Sequence, residues 1–108
     1  MAATSWSILT TIYKVAFRPR AKKAFDRLAT ADQRQLARKL KARCENPRVP
    51  ADRVREIPEA FKIKLRSSGI RLIYQVRDQQ LHILVLAVGK REREEAYQDA
   101  IREYLQFD

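Results

Sequence analysis

Phe61-Lys62-Ile63-Lys64-Leu65-Arg66-Ser67-Ser68-Gly69-Ile70-Arg71-Leu72-Ile73-Tyr74-Gln75-Val76-Arg77 decides the fold. From Phe61 to Arg66 apolar and basic residues alternate. Phe61, Ile63 and Leu65 share one face, Lys62, Lys64 and Arg66 the other, the period of a half-buried strand. Ser67-Ser68-Gly69 is a turn signal. From Ile70 to Arg77 the alternation resumes, with Ile70, Leu72, Tyr74 and Val76 opposite Arg71, Ile73, Gln75 and Arg77. Two such runs across a short turn predict an antiparallel hairpin. After Asp78-Gln79-Gln80, Leu81–Val88 is apolar at nearly every position, which predicts a central strand covered on both faces. Gly89 is expected to end it.

Upstream, Ile12–Phe17 reads as a first strand. Pro19 suits the first turn of a helix, and Ala21, Ala24, Phe25 and Leu28 give that helix one apolar stripe. Thr30 and Gln33 have the spacing of a capping box, opening a second helix over about Ala31–Glu45 with Leu36, Ala37, Leu40 and Cys44 facing one way. Asn46-Pro47 stops it. Arg48–Pro58 reads as an irregular connection. Ala96, Tyr97, Ala100, Ile101, Tyr104 and Leu105 follow the helical period and predict a last helix over Arg93–Leu105. The order β-α-α-β-β-β-α specifies an α+β fold. It is a small, mainly antiparallel sheet of about four strands with an N-terminal helical hairpin and a C-terminal helix. Residues 12–108 are expected to form one domain, and Met1–Thr11 a loose extension.

The chain has 108 residues, enough for one modest core. Its 23 Lys and Arg against 13 Asp and Glu give a net charge of +10, which draws polyanions. Several site classes are excluded by residue type. His82 is the only histidine, so a two-histidine ribonuclease cannot be built in one chain, and within an apolar strand it reads as structural. Cys44 is the only cysteine; no internal disulfide can form, and it is expected to pack as a small hydrophobe in a reducing compartment. There is no Walker loop, zinc-ligand spacing or serine elbow. The carboxylates Glu92, Glu94, Glu95, Asp99 and Glu103 read as a solvated helical face, so no metal and no cofactor are expected. No apolar run approaches a membrane span and no signal peptide is evident. The expected location is cytoplasmic.

Lys62 and Lys64 stand about 6.6 Å apart along one strand face. Arg66 extends the row, and Arg71 of the next strand can lie beside it. Lys90, Arg91 and Arg93 cluster where the central strand ends, and Tyr97 follows Arg93 by one helical turn. A solvated polar face accounts for Arg66 and Arg77. For Lys62, Lys64 and Arg71 together, a phosphate-binding surface is the better account. Fixed cations stabilise the extra negative charge that builds on phosphate when a ribose 2′-hydroxyl attacks it. A lysine crowded by other cations gives up its proton more readily, one route to a general base. Arginine grips phosphate through paired N–H groups. Tyr97 offers a ring for an unstacked base, or simply packs against Ile101; spacing leaves both open.

The quoted run, followed by Val88-Gly89-Lys90-Arg91-Glu92-Arg93 and Tyr97, closely resembles the RelE toxins of the RelE/ParE superfamily. The resemblance extends over about Tyr13 to Leu105. It implies a metal-independent endoribonuclease that enters the ribosomal A site and cuts messenger RNA there. In-line attack by the 2′-hydroxyl would leave a 2′,3′-cyclic phosphate and a 5′-hydroxyl. It also implies roles for residues. Lys62 and Lys64 match the paired lysines with base and charge-stabilising duties. Arg71 matches the arginine that holds the phosphate, Arg91 the leaving-group acid, and Tyr97 the tyrosine that stacks on the substrate nucleotide. Arg55 matches a further basic residue near the site, and Arg66, Lys90 and Arg93 are expected RNA or ribosome contacts. The implied partners are a cognate RelB-like antitoxin, the ribosome and messenger RNA, with operator DNA reached only through the antitoxin complex. Met1–Thr11 has no counterpart in the family, and Phe61 and Ile70 stand where tyrosines are common.

Two other readings use the same residues. One is a ParE-like gyrase inhibitor on the same fold, a class that generally lacks the paired lysines, two arginines and tyrosine together. The other is a non-catalytic basic RNA- or ribosome-binding module, in which the patch only grips phosphates.

Overall fold

Phe61, Ile63 and Leu65 bury in one cluster with Leu72, Tyr74 and Val76, so the predicted hairpin forms with one apolar face. The computed structural model describes residues 13–90 and 95–107; the expected extension Met1–Thr11 lies outside them. The hairpin is β3 (Ala60–Leu65) and β4 (Ile70–Arg77), paired from Ala60↔Gln75 to Leu65↔Ile70. Arg66 already belongs to the turn, where Gly69 adopts φ +70° and donates its N–H to the Leu65 carbonyl at 2.9 Å. On the far side of β4 lies β5 (His82–Lys90), antiparallel to it, and β5 also pairs in parallel with β1 (Lys14–Phe17). Leu81, expected in that strand, instead takes a left-handed conformation that closes the turn after β4. The strand also runs one residue past Gly89, because Ile70↔Lys90 continues the ladder.

The sheet has five strands in the order β1-β5-β4-β3-β2 rather than about four. The extra strand is β2 (Arg53–Val54), two residues within the connection expected to be irregular. Val54 and Ile57 hold that connection down, at 2% and 1% exposure. Helices cover both faces. On one side lie α1 (Pro19–Asp26) and α2 (Thr30–Glu45), burying Ala21, Leu36, Leu40 and Cys44 against the apolar face of the hairpin. Ala37, expected on that stripe, is exposed. On the other side α3 (Glu95–Phe107) lays Ala96 and Ala100 on Ile73, Leu86 and Ala87.

β5 serves both layers through an irregularity the sequence does not announce. Ile73 pairs with Ala87 and Tyr74 with Val85, so Leu86 is an extra residue in β5. The bulge turns Leu86 and Ala87 to the same side, and both bury beneath α3.

The capping box is not formed. Ala29 is the N-cap of α2 and no side chain caps it. Thr30 is already helical, and Gln33 donates instead to the Phe25 and Asp26 carbonyls at 2.9 and 3.2 Å. Both carbonyls lie at the end of α1, so Gln33 joins the two helices across their short link.

Behind the sheet, the Tyr74 hydroxyl donates to the Pro47 carbonyl at 2.6 Å and accepts from Arg43 at 2.8 Å. Arg43 also bonds Asp52 at 2.7 Å. Burial pushes the Tyr74 phenol up, partly offset by Arg43. Tyr74→Phe is expected to destabilise the fold by about 1–3 kcal/mol, since the Pro47 carbonyl and Arg43 lose a buried partner. Urea unfolding checks this, and an unchanged midpoint would show that the hydroxyl contributes nothing net.

Candidate active site

Strand alternation sends Lys62 and Lys64 away from the helical hairpin and towards α3. Register then fixes their neighbours: Lys64 lies directly across from Arg71, Lys62 from Ile73, and Arg71 in turn from Gly89 of β5. Like charges facing each other across a ladder are unfavourable. The Arg71 side chain turns to α3, where its guanidinium carbon sits 5.2 Å from the centroid of the Tyr97 ring. That cation–π contact occupies one ring face. Small residues make it possible: Ala96 and Ala100, 1% and 0% exposed, let α3 approach the sheet closely beside Tyr97.

Two cavities meet at Arg71. One, of about 410 Å³, is lined by Arg53, Arg55, Glu56, Arg71, Tyr97 and Gln98. The other, of about 320 Å³, is lined by Lys64, Arg66, Gly69 and Arg71. Together they form a cationic surface in which Glu56 is the only carboxylate among the described residues. The Arg71 Nε is buried there without a hydrogen-bond partner among the described residues. A buried donor left unpaired is costly and marks a place where a ligand oxygen fits. Arginine in that setting, with a lysine across the ladder and an aromatic ring against it, matches what a nucleotide offers: anionic oxygens and a flat base.

The structure therefore brings Lys64, Arg71 and Tyr97 together, with Arg55 and Arg66 on the walls. Lys62 is half-buried on the same face, one pleat further along, and lines neither cavity. Lys90 does not join them. The continuation of β5 past Gly89 pairs it with Ile70, and it lines a separate cavity of about 490 Å³ between α1 and α3, with Arg20, Lys23, Glu95, Asp99 and Glu103. Arg91 and Arg93 lie outside the described residues. Arg53, Glu56 and Gln98 were missed by sequence reasoning. The signal was present in Val54 and Ile57, two isolated apolar residues in a polar connection, which tie that segment to the floor beneath α3. No three His, Cys, Asp or Glu side chains among the described residues converge to hold a metal ion. None of the described helices is long and apolar enough to cross a membrane.

Comparison with known proteins gives a consistent result. Residues 15–95 match the family model described as the ParE toxin of type II toxin–antitoxin systems, parDE. The chain is 44% identical over 93 residues to the mRNA interferase toxin RelE of Escherichia coli K12, covering 86% of this chain and 98% of that protein. Among solved structures, a double arginine-to-alanine variant of E. coli toxin RelE in the free state superposes with a TM-score of 0.79 at 42% identity. That match covers 84% of this chain and 96% of the other. The intact E. coli RelBE toxin–antitoxin complex matches with a TM-score of 0.70 at 44% identity, over 72% of this chain and 95% of that one.

Proposed function

This chain belongs to the RelE toxins of the RelE/ParE superfamily, and on that premise we propose that it is a ribosome-dependent endoribonuclease cutting messenger RNA in the A site, the toxin of a type II toxin–antitoxin pair. One observation carries the site assignment: the buried, unpartnered Nε of Arg71 between Lys64 and Tyr97. In this reading Arg71 holds the scissile phosphate and Lys64 offsets the charge that grows on it. Lys62 or Lys64 takes the proton of the 2′-hydroxyl. The 2′-oxygen bonds to phosphorus as the bond to the 5′-oxygen breaks; Arg91 offsets the charge on that leaving oxygen, which takes a proton from water to end as the 5′-hydroxyl. Arg71 covers one face of Tyr97, so the nucleotide base stacks against the other. Arg53 and Arg55 guide the backbone into the larger cavity.

The family model is described in terms of ParE toxins, yet the RelE relative is the mRNA interferase, and Lys62, Lys64, Arg71 and Tyr97 occur here together. That combination favours RNA cleavage over gyrase inhibition. The cognate antitoxin is RelB-like, as in the E. coli complex, operator DNA is met only through the antitoxin complex, and the toxin acts in the cytoplasm.

The test is a purified translation mixture in which transition metals are removed by a chelator that leaves Mg²⁺ to the ribosome. Cleavage within the A-site codon is expected, with 2′,3′-cyclic phosphate and 5′-hydroxyl ends. Intact transcripts would remove the enzyme reading and leave a phosphate-gripping module. Equal cutting of free RNA would remove the ribosome from it.

A further inference from the structure

The seating of α3 on the end of β5 is unusually close. A Cβ built on Gly89 would stand 2.6 Å from the Glu95 Cβ and 2.9 Å from the Ala96 backbone nitrogen, closer than real atoms approach. The second of these neighbours is main chain at the start of α3 and cannot swing aside. One residue on, the Lys90 N–H donates to the Glu95 carboxylate at 2.9 Å. Gly89 is also the cross-strand partner of Arg71, and Tyr97 follows Glu95 by two residues on the same helix. The contact that fixes the height of α3 above the sheet therefore lies beside the Arg71–Tyr97 stack.

We propose that Gly89 and Glu95 form a latch that sets the spacing between Arg71 and Tyr97, making them positioning residues for the cleavage step. Neither touches the substrate in this assignment. The absence of a side chain at Gly89 lets α3 descend, and the Glu95 carboxylate holds its first turn against the Lys90 amide. Any side chain at position 89 lifts the start of α3 and carries the Tyr97 ring off the guanidinium. Reacting groups displaced by about 1 Å can lose about 10²-fold in rate while binding persists. The latch acts on the step proposed above, so its consequence for cleavage rests on that reading.

The experiment compares wild type, Gly89→Ala, Glu95→Ala and Glu95→Gln in single-turnover cutting on programmed ribosomes. Gly89→Ala is expected to slow cutting by about 10–100-fold with ribosome affinity nearly unchanged. Glu95→Ala should slow it less, and Glu95→Gln should restore it, because the amide oxygen still accepts from Lys90. Gly89→Ala combined with Tyr97→Ala should be no slower than Tyr97→Ala alone, since residues acting through one contact are not additive. Additive effects, or wild-type cutting by Gly89→Ala, overturn the proposal. If Gly89→Ala does not fold, the Glu95→Ala, Tyr97→Ala cycle decides in its place. The geometry is also read without catalysis, from the ring-current shift that Tyr97 imposes on Arg71 side-chain resonances. A shift lost in Gly89→Ala supports the latch even if wild type cuts nothing, which would sink only the enzyme reading.

Discussion

Arg71→Ala is expected to slow ribosome-dependent cleavage by about 10²–10³-fold, the usual loss when a preorganised donor to a developing oxyanion is removed. The fold should tolerate it. The substitution discards the buried Nε that has no partner and the like charge facing Lys64. Against those gains it loses a cation–π contact worth about 0.5–1 kcal/mol. Arg71→Lys keeps the charge but neither the planar fork nor the stack on Tyr97, so it should recover only a small part of the rate. Single-turnover cutting separates the variants, and urea unfolding shows that they remain folded. An Arg71→Ala protein that cuts as fast as wild type would place the reacting phosphate elsewhere.

Leu36→Ala is expected to have the opposite profile. Leu36 is 0% exposed, at the centre of the cluster that joins the helical hairpin to the sheet. Truncating such a leucine removes about 2–5 kcal/mol, depending on how far the surroundings collapse into the space. That is a large share of the stability of a small domain. Leu36 lies on the side of the sheet away from α3, however, so cutting per folded molecule should match wild type. Denaturant unfolding followed by cleavage at low denaturant checks both halves. A loss below about 1 kcal/mol would mean the hairpin repacks around the gap.

The hairpin of β3 and β4 was legible because alternation with period 2 needs no tertiary information. Phe61, Ile63 and Leu65 against Lys62 and Lys64 state both strand and orientation. For the same reason the shared face of Lys62, Lys64 and Arg71 was readable. What depends on register was not. The bulge at Leu86 leaves no mark in a run that is apolar throughout. The phase of Lys90 depends on whether the ladder stops at Gly89 or one residue later. β2 is two residues held by Val54, too short for any periodicity. The capping box failed through a one-residue shift: with the N-cap at Ala29, the Gln33 amide faces the end of α1. Tyr97 packs in the cluster with Ile101, one of the two readings its spacing left open, and also lies beneath Arg71, a contact that spacing did not suggest. Arg53, Glu56 and Gln98 reach the larger cavity only through chain segments far apart in sequence.

Because β1 pairs in parallel with β5, the first described strand to leave a translating ribosome waits for nearly the last one. Residues 14–17 find their neighbours only when residues 82–85 have been made, and the helix bearing Tyr97 comes later still. Such long-range closure is slow and late in folding. Until α3 has followed β5 into place, the pocket lacks the aromatic wall that Tyr97 supplies. A toxin of this family thus leaves the ribosome with its candidate site still unassembled.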